Sequence, residues 1–405
     1  MKKILLIAWR NVWRSKTRSL TVMGAMVVGI WALIFVLAFM FSINTGMLKN
    51  SIDYQYSHIQ IHSTEYKKDR EIKFVIPRVL ELEKQLSEVD GIQAYSSRIL
   101  NNGMLATAHG ARGVRIIAMD PKQEKLVTKL DKKLVEGSFF EGSKKNQLLI
   151  SENLADKMNM DIRSRPVITF KGKSGDVGEK YTVVGIFNTG FAKFDELNVL
   201  VNRSEFGKSM EMPDAVHEIA IYLEDPNNIE IVRAEVRALN PELEVETWNE
   251  LAPELNLINE QMYLNMYIFM GIIMLALIFG IINTMLMAVL ERVREIGMLM
   301  AIGMNKLRVF FMIVAETFML ALIAGPVGLL LGYLTVMVTN SMGIDLSKFS
   351  EGLAEYGIDQ IVRPVLEDKI YVVLAVNVIV TVILASIYPA IRAMRLNPAT
   401  AIRKQ

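Results

Sequence analysis

Long stretches of this chain carry almost no charge, and the rest alternates apolar and polar positions on a much shorter period. The clearest uncharged run lies from Gln261 to Leu290. That run gives about 45 Å of helix, against a bilayer core of about 30 Å. Comparable runs at 19–42, 309–340 and 370–391 predict three more membrane spans beside 261–290. Between the first and second spans lies a large mixed segment, 43–260. Period-two alternation there predicts strands at 57–63, 103–108, 114–119, 167–170, 181–187, 197–201 and 218–223. Helical spacing of Val79, Leu82, Leu86 and Val89, a helix start at Ser151 and a helix over 227–239 complete an α+β reading in one or two lobes. Pro241 and Pro253 are read as breaks before the second span. His58 and His62 flank an alternating strand and are expected at its surface. The fold class is therefore a four-helix membrane protein with a large extracytoplasmic α+β domain between helices 1 and 2.

Charge then assigns sides. Residues 1–18 hold Lys2, Lys3, Arg10, Arg14, Lys16 and Arg18 and no acid, while Leu5, Ala8, Trp9, Val12 and Trp13 share one helical face. A basic amphipathic helix with Trp suits a membrane interface, not a nucleic acid. Residues 291–308 carry Glu291, Arg292, Arg294 and Glu295 beside apolar Ile296, Leu299 and Ile302 at helical spacing. Basic residues dominate 1–18, 291–308 and the tail 392–405, whereas acids dominate the loop 341–369. The positive-inside rule therefore places both termini and 291–308 in the cytoplasm of a multi-pass protein. The apolar stretch before Trp9 is too short for a signal-peptide core, so the first span is expected to remain as an anchor.

The search for chemistry returns little. The chain has no Cys and four His, which removes thiolate chemistry and disulfides and disfavours a metal site. His217-Glu218 opens like a zinc motif, but position 221 is Ile; Gly172-Lys173-Ser174 ends like a P-loop, but position 167 is Val. No catalytic residues emerge, and no cofactor is expected in this chain. Three features of the spans remain. Glu316 lies about 12 Å of helical rise beyond Arg308, inside the membrane, as a functional contact or a snorkelling side chain. Gly325, Gly328 and Gly332 favour close helix packing, within the chain or with another copy, and Pro326 is expected to bend that helix. Met262, Met266, Met270 and Met274 form a stripe, either core filler or an adaptable apolar surface.

Several stretches together resemble the ABC permeases of the MacB/FtsX type. AWRNVWRSKTRSLTVMGAMVVGI is similar to their interfacial elbow and first span. ERVREIGMLMAIGM resembles their coupling segment, at Glu291, Arg292, Arg294, Glu295, Ile296, Gly297, Leu299 and Gly303. Glu316 with the three glycines matches their third span, and YPAIRAMRLNPATAIR their C-terminal signature at Pro389, Ala390, Arg392, Ala393, Pro398 and Arg403. The resemblance implies a non-catalytic inner-membrane subunit and a separate ABC ATPase that holds the ATP and Mg. It also implies a second permease, as homo- or heterodimer. The layout is closest to lipoprotein-releasing permeases, which pass acylated lipoproteins to a periplasmic chaperone. A MacB-like exporter of peptides, toxins or drugs, and an FtsX-like signalling subunit for a cell-wall hydrolase, stay open. On the lipoprotein reading, Met40, Phe41 and Met47 on the first span and Met262, Met266 and Phe269 on the second border a lateral lipid path, with Gly297 close to the ATPase.

Overall fold

The computed structural model describes residues 2–14, 16–140 and 145–396. It divides into a membrane unit (1–43, 260–345, 361–405) and an inserted unit (44–259, 346–360).

Among the described residues, four helices are long and apolar enough to cross a membrane: Ser19–Tyr56, Pro253–Glu291, Lys306–Met342 and Asp368–Met394. Each outruns its uncharged core, because the flanking polar residues continue the helical hydrogen bonding. The chain breaks after the short helix Trp248–Leu251, and Pro253 starts the second of these helices, as expected. Its missing N–H falls where a first-turn donor has no intrahelical partner anyway. The third helix runs on through Pro326. Within the membrane unit, Ile30 and Ile34 of the first span share one apolar core with Met285, Ile313, Leu320 and Val382 from the other three. Val12 and Ala8 of the N-terminal helix Lys2–Arg14 are buried, while Trp9 and Trp13 stay half-exposed and meet edge to face. That split is the one an interfacial helix requires.

The inserted unit is built on one eleven-stranded sheet: β1 (Ile59–Ser63), β2 (Ile92–Thr107), β3 (Gly110–Met119), β4 (Leu134–Gly137), β5 (Gln147–Ser151), β6 (Val167–Gly172), β7 (Gly175–Lys180), β8 (Thr182–Phe187), β9 (Asn198–Asn202), β10 (Glu218–Leu223) and β11 (Leu243–Thr247). The main path runs β11-β1-β10-β2-β3-β9-β5-β8-β4, and the β6–β7 hairpin joins through β2. β2 is long enough to serve two neighbourhoods: Ile92–Arg98 pairs with β10 and Gly103–Ala106 with β6. One continuous sheet thus replaces two lobes, with separate apolar cores along it. One core gathers β1, β10 and β11 under the helices Val79–Leu86 and Ile229–Leu239. Another gathers Ile116, Leu148, Ile168 and Val199. Ser151 caps the helix Glu152–Met158 by accepting from Leu154 N–H.

One expectation is corrected here. His58 and His62 are buried, at 5% and 8% exposure, because β1 is flanked by β11 and β10 and covered on both faces. The loop 341–369 is shared between the two units. Its part 346–360 joins the inserted unit, where Asn50 Nδ2 donates to Gly357 O at 2.9 Å and to Asp359 Oδ1 at 3.2 Å.

Candidate functional site

The site lies in the membrane unit, where the N-terminal helix, the segment after the second span and the foot of the third span meet. Residues Val293–Ala301 form a short helix. It ends at Gly303, whose φ of +102° suits glycine, and Asn305 then caps the third span by accepting from Leu307 N–H. Ile296 and Gly297 face inward and are buried; Glu291, Arg294, Met298 and Ile302 face outward. Met298 is 51% and Ile302 85% exposed. The sequence reading put Gly297 against a partner. In the structure Gly297 is buried beside Ile296, and the helix's apolar stripe is split between an inner and an outer face.

A ladder of charges crosses this junction. Arg14 Nη2 lies 2.8 Å from Glu295 Oε1, and Arg292 Nε lies 3.4 Å from Glu295 Oε2. Arg292 Nη1 then donates to Glu316 at 3.3 Å and 3.5 Å. Glu316 is 4% exposed, so it does not snorkel. Arg292 Nη2 is buried with no hydrogen-bond partner among the described residues. The two rungs differ in strength. Arg14–Glu295 is solvent-exposed, at 67% and 38%, and contributes about 0–1 kcal/mol. Arg292–Glu316 is desolvated, and breaking such a pair by removing one partner costs about 3–5 kcal/mol. A cavity of about 410 Å³ opens beside the ladder, walled by Asn11, Arg14, Met285, Met298, Met312 and Glu316. Sequence reasoning found each ladder residue but not the contact between Arg292 and Glu316. Opposite charges at the end of one span and about two turns inside the next were the available signal.

The other candidate residues fall elsewhere. Gly328 and Gly332 pack within the chain, where an added Cβ would come 2.9 Å from Ile30 Cβ and 2.5 Å from Ile34 Cδ1 of the first span. Gly325 has open space at that position. Trp31 Nε1 donates to Thr335 Oγ1 at 2.9 Å between the same two helices. Phe41, Met262 and Met266 lie in the membrane unit's core, and Phe269 is 41% exposed. Met40 is half-buried, and Met47 belongs to the inserted unit, where it lines a small groove with Leu255 and Ile258. Pro398, Arg403 and Lys404 lie outside the described residues.

The chain matches two family models: the MacB-like periplasmic core domain over residues 19–239 and the FtsX-like permease C-terminal region over residues 267–398. It is similar to the lipoprotein-releasing system transmembrane protein LolC of Neisseria meningitidis serogroup B. The two are 24% identical over 336 residues, covering 77% of this chain and 78% of that one. It is also similar to the macrolide export ATP-binding/permease protein MacB of Rhodopirellula baltica, at 29% identity over 203 residues, 47% of this chain and 27% of that one. The periplasmic region of MacB from Actinobacillus actinomycetemcomitans aligns over 52% of this chain and 97% of that one, with a TM-score of 0.37 and 12% identity.

Proposed function

The chain belongs to the MacB/FtsX-type ABC transporter permeases, and from that premise we propose that it is the permease subunit of a lipoprotein-releasing transporter. In this reading the N-terminal helix, the Val293–Ala301 helix and the C-terminal tail are cytoplasmic, and the inserted unit is an ectodomain. A separate ATPase docks on the outward face of Glu291, Arg294, Met298 and Ile302. A second permease completes the transport unit, and a periplasmic chaperone receives the cargo. The observation that carries the reading is the junction itself. A helix with an exposed apolar tip is tied through Arg292 to Glu316, so force applied to it reaches the third span.

Lipoprotein release, as opposed to another cargo, is favoured by the similarity to LolC over most of both chains. Acyl chains then enter between the first and second spans, beside Met40, Phe41, Met262, Met266 and Phe269, with Met47 at the ectodomain end. The second reading, an exporter of the MacB kind, is favoured by the higher identity over a shorter stretch.

The test is a pair of substitutions on the docking face, Met298→Asp and Ile302→Asp, in the membrane-embedded protein co-expressed with its genomic neighbour ATPase. The ATPase is expected to stop co-purifying while the permease keeps its thermal stability, since both side chains are exposed. Undiminished co-purification with both substitutions would remove the docking face. Accumulation of lipoproteins in the inner membrane of the same strain separates the two cargo readings.

A further inference from the structure

The face of the sheet made by β2, β3 and β9 carries a further cavity, of about 500 Å³, within the inserted unit. That is the size of a small-ligand site, typically about 300–1,000 Å³. Strand register sets its floor. Asn102 pairs with Arg115 across β2 and β3, and Arg115 with Asn198 across β3 and β9, so three polar residues stand in one row. Two positions along, Leu100, Ile117 and Leu200 make the next row of the same face and share an apolar core with Phe194. Lys193 and Leu197 are exposed at the rim.

Asn198 is the informative residue. It is only 6% exposed, yet it lines the cavity. Its Nδ2 donates to Phe194 O at 2.8 Å, which fixes the direction of the amide. Oδ1 is turned the other way, buried and without a hydrogen-bond partner among the described residues. A buried acceptor left unpaired is unfavourable, so this cavity is short of one donor.

The charges around it leave a place for an anion. Glu218 accepts from Arg98 at 2.8 Å and also lies in the field of Arg115. Arg98 is shared with Glu124 at 2.6 Å. Arg98, Arg115 and Lys193 therefore meet Glu218 and Glu124 with one positive charge to spare, and His62, 3.8 Å from Glu218, can only add to it. Arg115 and Lys193 make no contact ion pair among the described residues. Tyr56 and Tyr66 also lie within the field of Arg115, but burial pushes both pKa values up, Tyr66 to about 12, so neither phenol neutralises it. Glu254 and Arg70 act on Tyr56 with opposite signs.

We propose that this cavity binds an N-acylated α-amino acid carboxylate, the chemistry of a peptide's C-terminal residue. The carboxylate sits on Arg115 and Lys193, the amide N–H donates to Asn198 Oδ1, and an apolar side chain lies against Phe194 and Leu197. Neighbouring strands are about 4.8 Å apart, and the N–H and carboxylate of one residue flank a single Cα, so one residue can make both contacts. Other anions fit less well. A phosphate diester has no donor for Asn198, and a free amino group would set a second positive charge beside Arg115. The site is independent of which cargo the permease moves.

The test is calorimetric titration of full-length protein in lipid nanodiscs, with empty nanodiscs as the reference. N-acetyl-leucine is expected to bind saturably. Its C-terminal amide should bind about tenfold more weakly or worse, having lost the charge, and 4-methylpentanoate, which lacks the N–H, about fivefold more weakly. Arg115→Gln should weaken N-acetyl-leucine about tenfold while the far-ultraviolet circular dichroism stays unchanged. An acetylated tripeptide ending in leucine separates the sources. Tighter binding than N-acetyl-leucine supports the site as one for a peptide C-terminus, and weaker binding supports it as one for a free acylated amino acid. No saturable binding of either acid, or equal affinity for acid and amide, would overturn the proposal and leave Asn198 Oδ1 to water alone.

Discussion

Removing the carboxylate of Glu316 should destabilise the membrane unit more than any single surface change, and it should do so in a way that its partner reverses. In Glu316→Leu, Arg292 keeps its 3.4 Å contact with Glu295 but loses the acceptor of Nη1, while Nη2 already has none. A guanidinium only 14% exposed would then hold two unsatisfied nitrogens. The expected cost is about 3–5 kcal/mol, the range for a buried pair deprived of one partner. Arg292→Met strands a carboxylate 4% exposed away from its cation and should cost a similar amount. The double variant places two apolar side chains in the same space and should recover most of the loss, since apolar replacement of a buried pair is often neutral. Reversible unfolding in bicelles or steric trapping reads all four corners of the cycle. A coupling energy near zero, with single effects that simply add, would refute the claim that the two charges act as one unit. Salt gives a second check: the buried rung should ignore added salt, while any contribution from Arg14–Glu295 should fade within a few tenths molar.

Two further outcomes follow from close packing and burial. Gly332→Val should lower the stability of the membrane unit, since its Cβ meets Ile34 Cβ at 2.9 Å, while Gly325→Val, with nothing within 4 Å, should be tolerated; equal effects in the same unfolding assay would contradict the packing. Burial pushes Asp195 up to about 7 despite its hydrogen bonds from Thr189, so the folded state binds this proton more tightly than the unfolded chain. Its contribution is therefore present at pH 4 and lost as pH rises towards 7, and Asp195→Asn should flatten that fall in thermal melts.

The spans were legible because each apolar run is long enough to cross a bilayer, and their ends were not, because helices continue past their apolar windows. The break at Pro253 before the second span was legible, since proline is as welcome at a helix start as it is damaging inside one. At β1 the strand was legible, but the exposure of His58 and His62 was misjudged. Alternation marks a strand with one wet face, and β1 buries His58, Gln60 and His62 by giving them partners. β7 gave no signal at all: Gly175 and Gly178 depress strand propensity, and only pairing with β6 holds it. At the junction, the Val293–Ala301 helix was visible as a pattern but its inner and outer faces were not. The Arg292–Glu316 contact joins residues 24 positions apart, one in the turn after the second span and one on the third span, and no local rule encodes it.

Energetics sharpen what the lipid path must do if lipoproteins are the cargo. Within a bilayer, moving an acyl chain from lipid to a protein wall gains no hydrophobic free energy, because lipid tails are as apolar as Leu. The cost comes when the chain leaves: at about 0.8 kcal/mol per methylene, a chain of about fifteen methylenes meets a penalty of about 12 kcal/mol if it enters water. A wall that keeps the chain dry removes most of that penalty. Phe41, Met262 and Met266 can supply the wall only once the first and second spans part, since all three are buried in the chain's own core. Parting them uncovers that core, which is itself unfavourable unless the cargo takes the vacated place. Opening and loading are therefore coupled events, and the free energy for both has to arrive from outside the membrane unit. The junction at Arg292 and Glu316 is a stiff route by which it can reach the spans. A permease whose path stood open at rest would need no such link; one whose path is closed by its own methionines does.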